Sequence, residues 1–267
     1  KINVIVVNFN IKPLSAEPSR KLSGQVMLFN FRISLPSFQF ASTINFFSIN
    51  NAGKIGSENY CEGVYKDKEN YISFFKSGYG GYYSDSEIRP FDKPSKAKVR
   101  EELSLLTRDE IEFSIIVFCG HGWYSTVSES NIFELNDNKE QIDSLDLRAN
   151  AKKRIIIEDN CREPYSEYIT DSLIKSFSAE ALFKDYRQRI NPEECKRYYN
   201  KKISECPEQI IIGQACSIGE TAGDSSSTGG YYSSSLLKKA KETAESDLQT
   251  IDLSKKYKTY NFPLNHN

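Results

Sequence analysis

Short apolar runs alternate with segments of helical periodicity along most of the chain. Four of these runs predict strands: Thr43–Ile49, Ile111–Cys119, Arg154–Glu158 and Gln209–Gly213. The last three are rich in β-branched residues, as buried strands are. Strands that are apolar on both faces and alternate with helices are typical of a parallel sheet covered on both sides. The pattern therefore predicts an α/β fold with a mostly parallel central sheet of about six strands and helices on both faces.

Helices are expected in four places: about residues 66–76, after Pro94, about 165–183 and about 193–205. For the second helix, Ser95 is the expected N-cap, with an apolar face formed by Val99, Leu103 and Leu106. Residues 1–40 are the least regular part, although residues 25–35 could form a strand. The expected organisation is an N-terminal extension of unknown role over 1–40 and one domain over 41–267.

Charge and composition exclude some classes of protein. The 267 residues contain 35 Lys and Arg against 36 Asp and Glu, a net charge of −1, whereas domains that bind nucleic acid are usually basic. No apolar run approaches the roughly 20 residues of a membrane span. The six cysteines contain no C-x-x-C pair, which argues against a zinc ribbon. We therefore expect no nucleic-acid or membrane partner, and cysteine usage together with the poor signal-peptide character of the first residues fits a reducing cytoplasm.

Chemically interesting residues follow three of the predicted strands. These segments are 119–122 (Cys-Gly-His-Gly), 159–162 (Asp-Asn-Cys-Arg) and 214–217 (Gln-Ala-Cys-Ser). In open parallel sheets, function gathers at the carboxyl ends of the strands. A thiol becomes a good nucleophile when a positioned base takes its proton, and His121 is the one histidine outside the C-terminal tail.

Two cysteines compete as the partner of His121. Cys161 follows the strand that should lie next to the strand of His121, which favours Cys161 as the nucleophile and leaves Cys216 as a buried structural thiol. In a Cys-His dyad, the thiolate attacks a peptide carbonyl and the histidine protonates the leaving amine. The backbone N–H groups of Gly122 and Cys161 are natural donors to the developing oxyanion.

The sequence resembles the caspase-like cysteine peptidases, and the metacaspase and orthocaspase branch more than the animal caspases. Five ordered segments carry this resemblance: 63–71 (GVYKDKENY), 96–103 (KAKVREEL), 118–122 (FCGHG, with Cys119 where the family usually has Ser), 159–161 (DNC) and 215–233 (ACSIGETAGDSSSTGGYYS). Gln214 to Cys216 also imitates the start of the caspase Q-A-C signature. The resemblance implies the caspase-like fold and His121 with Cys161 as the catalytic pair.

The resemblance also implies a specificity pocket. In this family, the residue two before the cysteine and an acid of the first helix line the pocket for the residue preceding the cut; here they are Asp159 and Asp67, and Cys119 is included with them. Two buried carboxylates need a cationic partner, so an Arg or Lys side chain of a protein substrate is expected. Alternatively, Asp67 caps a helix and Asp159 pairs with Arg162 or Arg154.

The sequence departs from the family after the catalytic cysteine. If Arg162 points into the pocket, it favours an acidic substrate residue instead. Ile218 and Gly219 stand where an acidic pair that helps to bind calcium is common, so no cofactor and no metal are expected and calcium dependence is doubtful. Residues 184–202 contain seven basic residues. Two interpretations have equal weight: self-cleavage within this segment, or a helical face exposed to solvent. Two further alternatives stay open: a catalytically silent homologue that acts as a scaffold, and an Asp-specific peptidase.

Overall fold

The computed structural model describes residues 3–8, 43–107, 111–148, 151–163 and 191–258, with side chains described from 45 to 247 within these ranges. Eleven strands are found there: β1 (Asn3–Asn8), β2 (Thr43–Asn51), β3 (Ile88–Asp92), β4 (Ile111–Gly120), β5 (Gly122–Ser125), β6 (Ser130–Glu134), β7 (Gln141–Asp143), β8 (Lys153–Asp159), β9 (Gln209–Gln214), β10 (Asp224–Ser225) and β11 (Gly229–Gly230). The helices are α1 (Gly63–Lys76), α2 (Lys96–Leu106), α3 (Pro192–Glu205) and α4 (Tyr231–Lys258), with a 3₁₀ helix at Ser144–Arg148.

The central sheet has six strands in the order β1-β9-β8-β4-β2-β3, and every pairing in it is parallel. This confirms the predicted fold class, and the four predicted strands match β2, β4, β8 and β9. The sequence pattern did not predict the two edge strands. One edge strand, β1, comes from the N-terminal extension, whereas the strand considered at 25–35 and the helix expected at 165–183 lie outside the described residues.

Apolar side chains cover both faces of this sheet, as predicted. On one face, α1 packs beside α4, and aromatic residues dominate the layer beneath them; Phe46, Tyr71, Phe74, Phe75 and Tyr232 are all buried there. On the other face, Val99 and Leu103 of α2 pack with Phe118 and Phe133, whose rings stack at 4.1 Å between centroids. The sheet is thus held between two apolar layers, and its strand ends have fixed positions.

Helix α2 begins as the sequence predicts. The Ser95 hydroxyl accepts a hydrogen bond from the backbone N–H of Lys98, which satisfies one of the free donors of the first turn. Val99, Leu103 and Leu106 are all buried on the inward face of the helix. No helix among the described residues is long and apolar enough to cross a membrane.

The carboxyl ends of β4, β8 and β9 lie side by side. Cys119 is in register with Asp159, and Glu158 with Gln214. A small antiparallel sheet, β5-β6-β7, begins directly after His121, and the β10-β11 ribbon leads into α4. The two smaller sheets therefore flank the edge of the central sheet at which the candidate residues gather.

Candidate active site

His121 lies between β4 and β5, in a turn that depends on glycine. Gly120 has a φ of +149°, and a side chain there would collide with the carbonyl oxygen of Asn51. The imidazole packs over the backbone at Gly53, where φ is +78° and an added Cβ would lie 2.7 Å from Nε2 of His121. Gly120 thus permits the close approach of β4 to Asn51, and Gly53 makes room for the half-buried imidazole.

Burial lowers the pKa of His121, while the charge of Glu134 and the nearby backbone carbonyls of Asn59 and Ala52 act in the opposite direction. The net effect favours the neutral imidazole, which is the form that can accept a proton. Nε2 of His121 is buried and has no hydrogen-bond partner among the described residues. Nε2 is therefore packed against the backbone at Gly53 and closed to solvent.

Cys161 follows β8 and is half-buried. Its thiol lies 3.7 Å from the carbonyl oxygen of Ala222 and donates a hydrogen bond to it, rather than to His121. Burial raises the pKa of Cys161, and the negative charges of Glu163, Asp159 and Asp224 add to this effect. The thiol and the imidazole are therefore both neutral in this structure, and the dyad is not in hydrogen-bond contact.

Two further groups near the dyad were missed by the sequence reasoning. Asp224 accepts a hydrogen bond from the N–H of Gly63 at 2.9 Å; burial raises its pKa, and His121 opposes that shift in its protonated form. Burial together with the charges of Asp224 and Cys161 raises the pKa of Cys61 to about 12. Asp224 lies inside the segment 215–233 that carries the family resemblance, but it was given no role there, and Cys61 lies outside the quoted segments.

Asp67, Cys119 and Asp159 form one buried cluster, which we call the acidic pocket. They come from α1, the end of β4 and the end of β8, and one ligand atom from each lies within 4.8 Å of the others. The three residues are 2%, 1% and 7% exposed. The structure thus brings together the three residues that the sequence placed in the specificity pocket.

The end of β11 and the first turn of α4 close one side of the acidic pocket. The N–H of Gly230 donates to Oδ2 of Asp67 at 2.8 Å, and the N–H and hydroxyl of Ser233 donate to Oδ2 of Asp159 at 3.2 and 2.6 Å. The Tyr71 hydroxyl in turn donates to Ser233. Any side chain at Gly230 would approach Asp159 to 2.5 Å, so this close approach requires glycine.

The acidic pocket holds three groups that become negative on ionisation, and no positive side chain pairs with them where the structure is described. Burial raises the pKa of Asp67 well above its usual range, and the charge of Asp159 raises it further. Burial also raises the pKa of Asp159, to about 6, and that of Cys119. Among the described residues, neither carboxylate takes part in an ion pair. A cation entering this pocket would therefore be strongly favoured.

The alternative roles considered for these acids do not match the geometry. Asp67 lies inside α1 and does not cap it. Arg154 donates to the carbonyl of Arg148, and Arg162 donates to the side chain of Asn131 and to the carbonyl of Cys216, both at 3.0 Å. Both arginines are thus engaged away from Asp159.

Arg162 also does not enter the acidic pocket. It is 5% exposed, and its guanidinium lies 5.7 Å from the ring centroid of Tyr124. The N–H of Arg162 donates to the carbonyl of Glu220, and the N–H of Gly219 donates to the carbonyl of Arg162. Arg162 therefore fastens the loop after Cys161 to the loop after β9.

Cys216 is a buried thiol in that second loop, as expected. It contacts the backbone carbonyls of Asn160 and Glu220. The side-chain amide of Asn160 donates to the carbonyl of Cys161 at 2.6 Å and lies beside Gly122. Gly122 and Cys161, the expected oxyanion donors, are thus both next to Asn160.

The basic segment at 184–202 is only partly described. Its second half forms α3, where Lys196 pairs with Glu87 at 2.6 Å and Arg197 is exposed. Lys184, Arg187 and Arg189 lie outside the described residues. Ile218 and Gly219, at the positions of the family's acidic pair, are exposed and offer no side-chain oxygen.

Comparison with known proteins places the chain in a family. No curated protein matches it significantly. Among solved structures, it is similar to caspase-1 from Spodoptera frugiperda, with 11% identity and a TM-score of 0.45 over 74% of this chain and 68% of that chain. It is also similar to the Drosophila initiator caspase Dronc, with 15% identity and a TM-score of 0.32 over 43% and 47%. The sequence profile of the caspase domain matches residues 46–258. Because this match spans most of the chain, the protein belongs to the caspase family of cysteine peptidases, whose substrates are proteins.

Proposed function

We propose that the protein is a cysteine endopeptidase that cleaves after Arg or Lys, with Cys161 as nucleophile and His121 as base. The observation that carries the specificity is the acidic pocket, in which Asp67 and Asp159 are buried with no cationic partner in the described part of the chain. A substrate guanidinium or ammonium group supplies the missing charge, and a guanidinium can donate to both carboxylates at once.

The proposed reaction begins when substrate binding moves the Cys161 thiol away from the carbonyl of Ala222. His121 takes the thiol proton, and the thiolate attacks the carbonyl carbon of the scissile bond. The N–H groups of Gly122 and Cys161 stabilise the oxyanion, and His121 then gives its proton to the leaving amine. Water activated by His121 hydrolyses the acyl-enzyme and restores the thiol.

Two alternatives are weakened by specific contacts. An Asp-specific enzyme needs a cation in its pocket, and Arg162 is engaged by Asn131 and Cys216 instead. A silent scaffold protein has no need for a buried acidic pocket beside a Cys-His pair. The hydrogen bond of the Cys161 thiol to the carbonyl of Ala222, rather than to His121, leaves the scaffold alternative open to experiment.

The deciding experiment is a panel of fluorogenic peptides with Arg, Lys, Asp or Leu before the scissile bond. We expect the wild type to cleave after Arg and Lys, and Cys161→Ala to lose roughly 10³-fold or more in kcat/KM. Cys216→Ala should retain this activity, because the described contacts of its thiol are to backbone carbonyls. Cys206→Ala, at an exposed position, is the matched control.

The other outcomes of this panel are informative. Cleavage only after Asp would overturn the assignment of the pocket. No cleavage, together with no labelling of Cys161 by an Arg-containing acyloxymethyl ketone, would favour the scaffold alternative. If cleavage is lost in Cys216→Ala and retained in Cys161→Ala, Cys216 is the nucleophile and Cys161 is not.

We also propose self-processing in the basic segment, after Lys184, Arg187 or Arg189. The basic residues of α3 are less suitable sites, because a peptidase binds an extended chain and α3 is a regular helix. Mass spectrometry of the new termini in the wild type and in Cys161→Ala tests this, since cleavage should be absent from the variant. A reducing cytoplasm remains our proposed compartment, supported by the six cysteines, each of which is free.

A further inference from the structure

We propose that Asn51 is a positioning residue for His121, because its side chain connects the two segments that hold this histidine in place. Asn51 is the last residue of β2 and lies in register with Gly120, directly before His121. It is 0% exposed, and both polar atoms of its side chain are hydrogen-bonded. Its part in catalysis rests on the proposed function, whereas its contacts with the segments around His121 do not.

The first of these segments is the turn after β2, on which the imidazole lies. The side-chain oxygen of Asn51 accepts a hydrogen bond from the N–H of Gly53 at 3.0 Å, which is the bond of an Asx turn. A Cβ at Gly53 would lie 2.7 Å from Nε2 of His121, so this backbone is the surface against which the ring packs. The Asn51 oxygen therefore fixes the support of the imidazole.

The second segment is β6, which holds the backbone of His121. The side-chain amide of Asn51 donates to the carbonyl oxygen of Glu134 at 2.9 Å, across 83 residues of sequence. The N–H of Glu134 in turn donates to the carbonyl oxygen of His121, also at 2.9 Å. Asn51 therefore joins the support of the ring to the strand that holds the histidine backbone, so that the two cannot move independently.

The adjacent residue shows that burial alone does not produce these contacts. Asn50 is also buried, at 1% exposed, and its side-chain amide donates to the Ser48 hydroxyl and to the carbonyl of Phe91, each at 3.1 Å. Phe91 belongs to the edge strand β3, on the side of β2 away from β4 and His121. The chain thus supplies two neighbouring buried asparagines, of which only Asn51 contacts the segments that hold His121.

The charged groups around His121 come from β6, from the turn after it and from β10. Glu134 raises the pKa of His121 and Lys139 lowers it, and these two side chains form an ion pair at 2.9 Å. Asp224 also interacts with the charge of His121. Substitution of Asn51 removes none of these groups. Burial is the largest influence and lowers the pKa of His121, so a loosened support that admits water should raise it.

Nuclear magnetic resonance of the imidazole protons tests this directly, because the chain contains only His121 and His266. In Asn51→Ala, the titration midpoint of His121 should rise toward the ordinary value of about 6.5, with that of His266 unchanged. The kcat for an Arg peptide should fall roughly tenfold to 100-fold, since a displacement of about 1 Å can cost that much. KM should change little, because Asn51 does not contact Asp67 or Asp159.

Asn50→Ala is the matched control, because it also removes a buried amide from β2. It should change neither the midpoint of His121 nor kcat. Asn51→Ser serves if Asn51→Ala folds poorly, since a serine hydroxyl can still accept from Gly53 and is too short to reach Glu134 as well. Its effects should be smaller and in the same direction.

Two results would overturn the role of Asn51. One is a folded Asn51→Ala or Asn51→Ser protein that keeps the His121 midpoint and the kcat of the wild type. The other is an Asn50→Ala protein that changes both as much as Asn51→Ala does. Failure of the proposed function would instead show as no cleavage after Arg by the wild type, and the His121 midpoints would then decide the role of Asn51 alone.

Discussion

The Cys161 thiol donates its hydrogen bond to the carbonyl oxygen of Ala222 at 3.7 Å, and His121 is not its partner. Burial raises the pKa of this thiol and lowers that of His121, so neither group carries a charge near neutral pH. The resting centre therefore differs from a preformed thiolate-imidazolium pair, in which each charge stabilises the other. In the proposed mechanism, activation requires the Cys161 thiol to exchange its contact with Ala222 for one with His121.

The first prediction concerns the reactivity of the resting thiol. Alkylation of Cys161 by iodoacetamide should rise with pH and reach its midpoint above about 9, the ordinary value from which its pKa is raised. His121→Ala should change this profile little, because the two side chains are not hydrogen-bonded. Peptide-level mass spectrometry follows Cys161 separately from the other five cysteines. A midpoint near neutral pH that moves upward in His121→Ala would instead establish a preformed ion pair.

Much of this centre could be predicted from the sequence, because local patterns encode it. Apolar β-branched runs mark the strands, and the residues that follow them must meet at one edge of a parallel sheet. His121, Cys161 and Asp159 were placed in this way. The predicted N-cap at Ser95 is likewise a local feature, since Ser95 contacts Lys98 three residues away.

The missed parts depend on contacts between distant segments. Ser233 meets Asp159 across 74 residues, and Gly230 meets Asp67 across 163. A periodic sequence pattern does not predict such contacts. They form because the connection from β11 into α4 passes beside Asp67 and Asp159. The sheet β5-β6-β7 was also missed, because its strands have only three to five residues and give a weak alternating signal.

A second prediction concerns the stability cost of the acidic pocket. Burial raises the pKa of Asp159 from 3.8 to about 6, so its ionised form destabilises the fold and stability falls as pH rises through this interval. Asp159→Asn should therefore raise the free energy of unfolding at pH 7.5 by about 1–3 kcal/mol, and much less at pH 4. The asparagine oxygen can still accept from Ser233.

Urea unfolding at the two pH values measures this effect. The same variant should lose cleavage after Arg, so greater stability and lower activity are expected together. Asp85→Asn is the control, because that carboxylate is 87% exposed and its removal should change stability by less than about 1 kcal/mol. A less stable Asp159→Asn at pH 7.5 would mean that the carboxylate has a cationic partner in solution.

A third prediction separates the charge of the pocket from that of the dyad. Two peptide substrates are compared, one with Arg and one with citrulline, which has nearly the same shape and no charge, before the scissile bond. The kcat/KM for the Arg peptide, divided by that for the citrulline peptide, should fall as pH decreases through about 6. The reason is that protonation of Asp159 and Asp67 removes the attraction for the guanidinium. Titration of Cys161 and His121 changes kcat/KM for both substrates equally and therefore cancels in the ratio. A ratio independent of pH would exclude the two carboxylates as the binding groups.

The last prediction concerns Arg162, which links the two loops around Cys161. Its guanidinium bonds to Asn131 and to the carbonyl of Cys216, and it is 5% exposed. Arg162→Ala leaves these acceptors without a donor and should lower the free energy of unfolding by about 1–3 kcal/mol. Arg197→Ala, at an exposed position on α3, should stay within about 0.5 kcal/mol of the wild type.

The peptide panel applied to Arg162→Ala tests whether this role is structural. Cleavage should become slower, because the loop that carries Cys161 is less firmly held, yet the preference for Arg over Asp should be unchanged. The reason is that Arg162 contacts neither Asp67 nor Asp159. If the variant instead loses cleavage after Asp that the wild type performs, Arg162 lines the specificity pocket when substrate is bound.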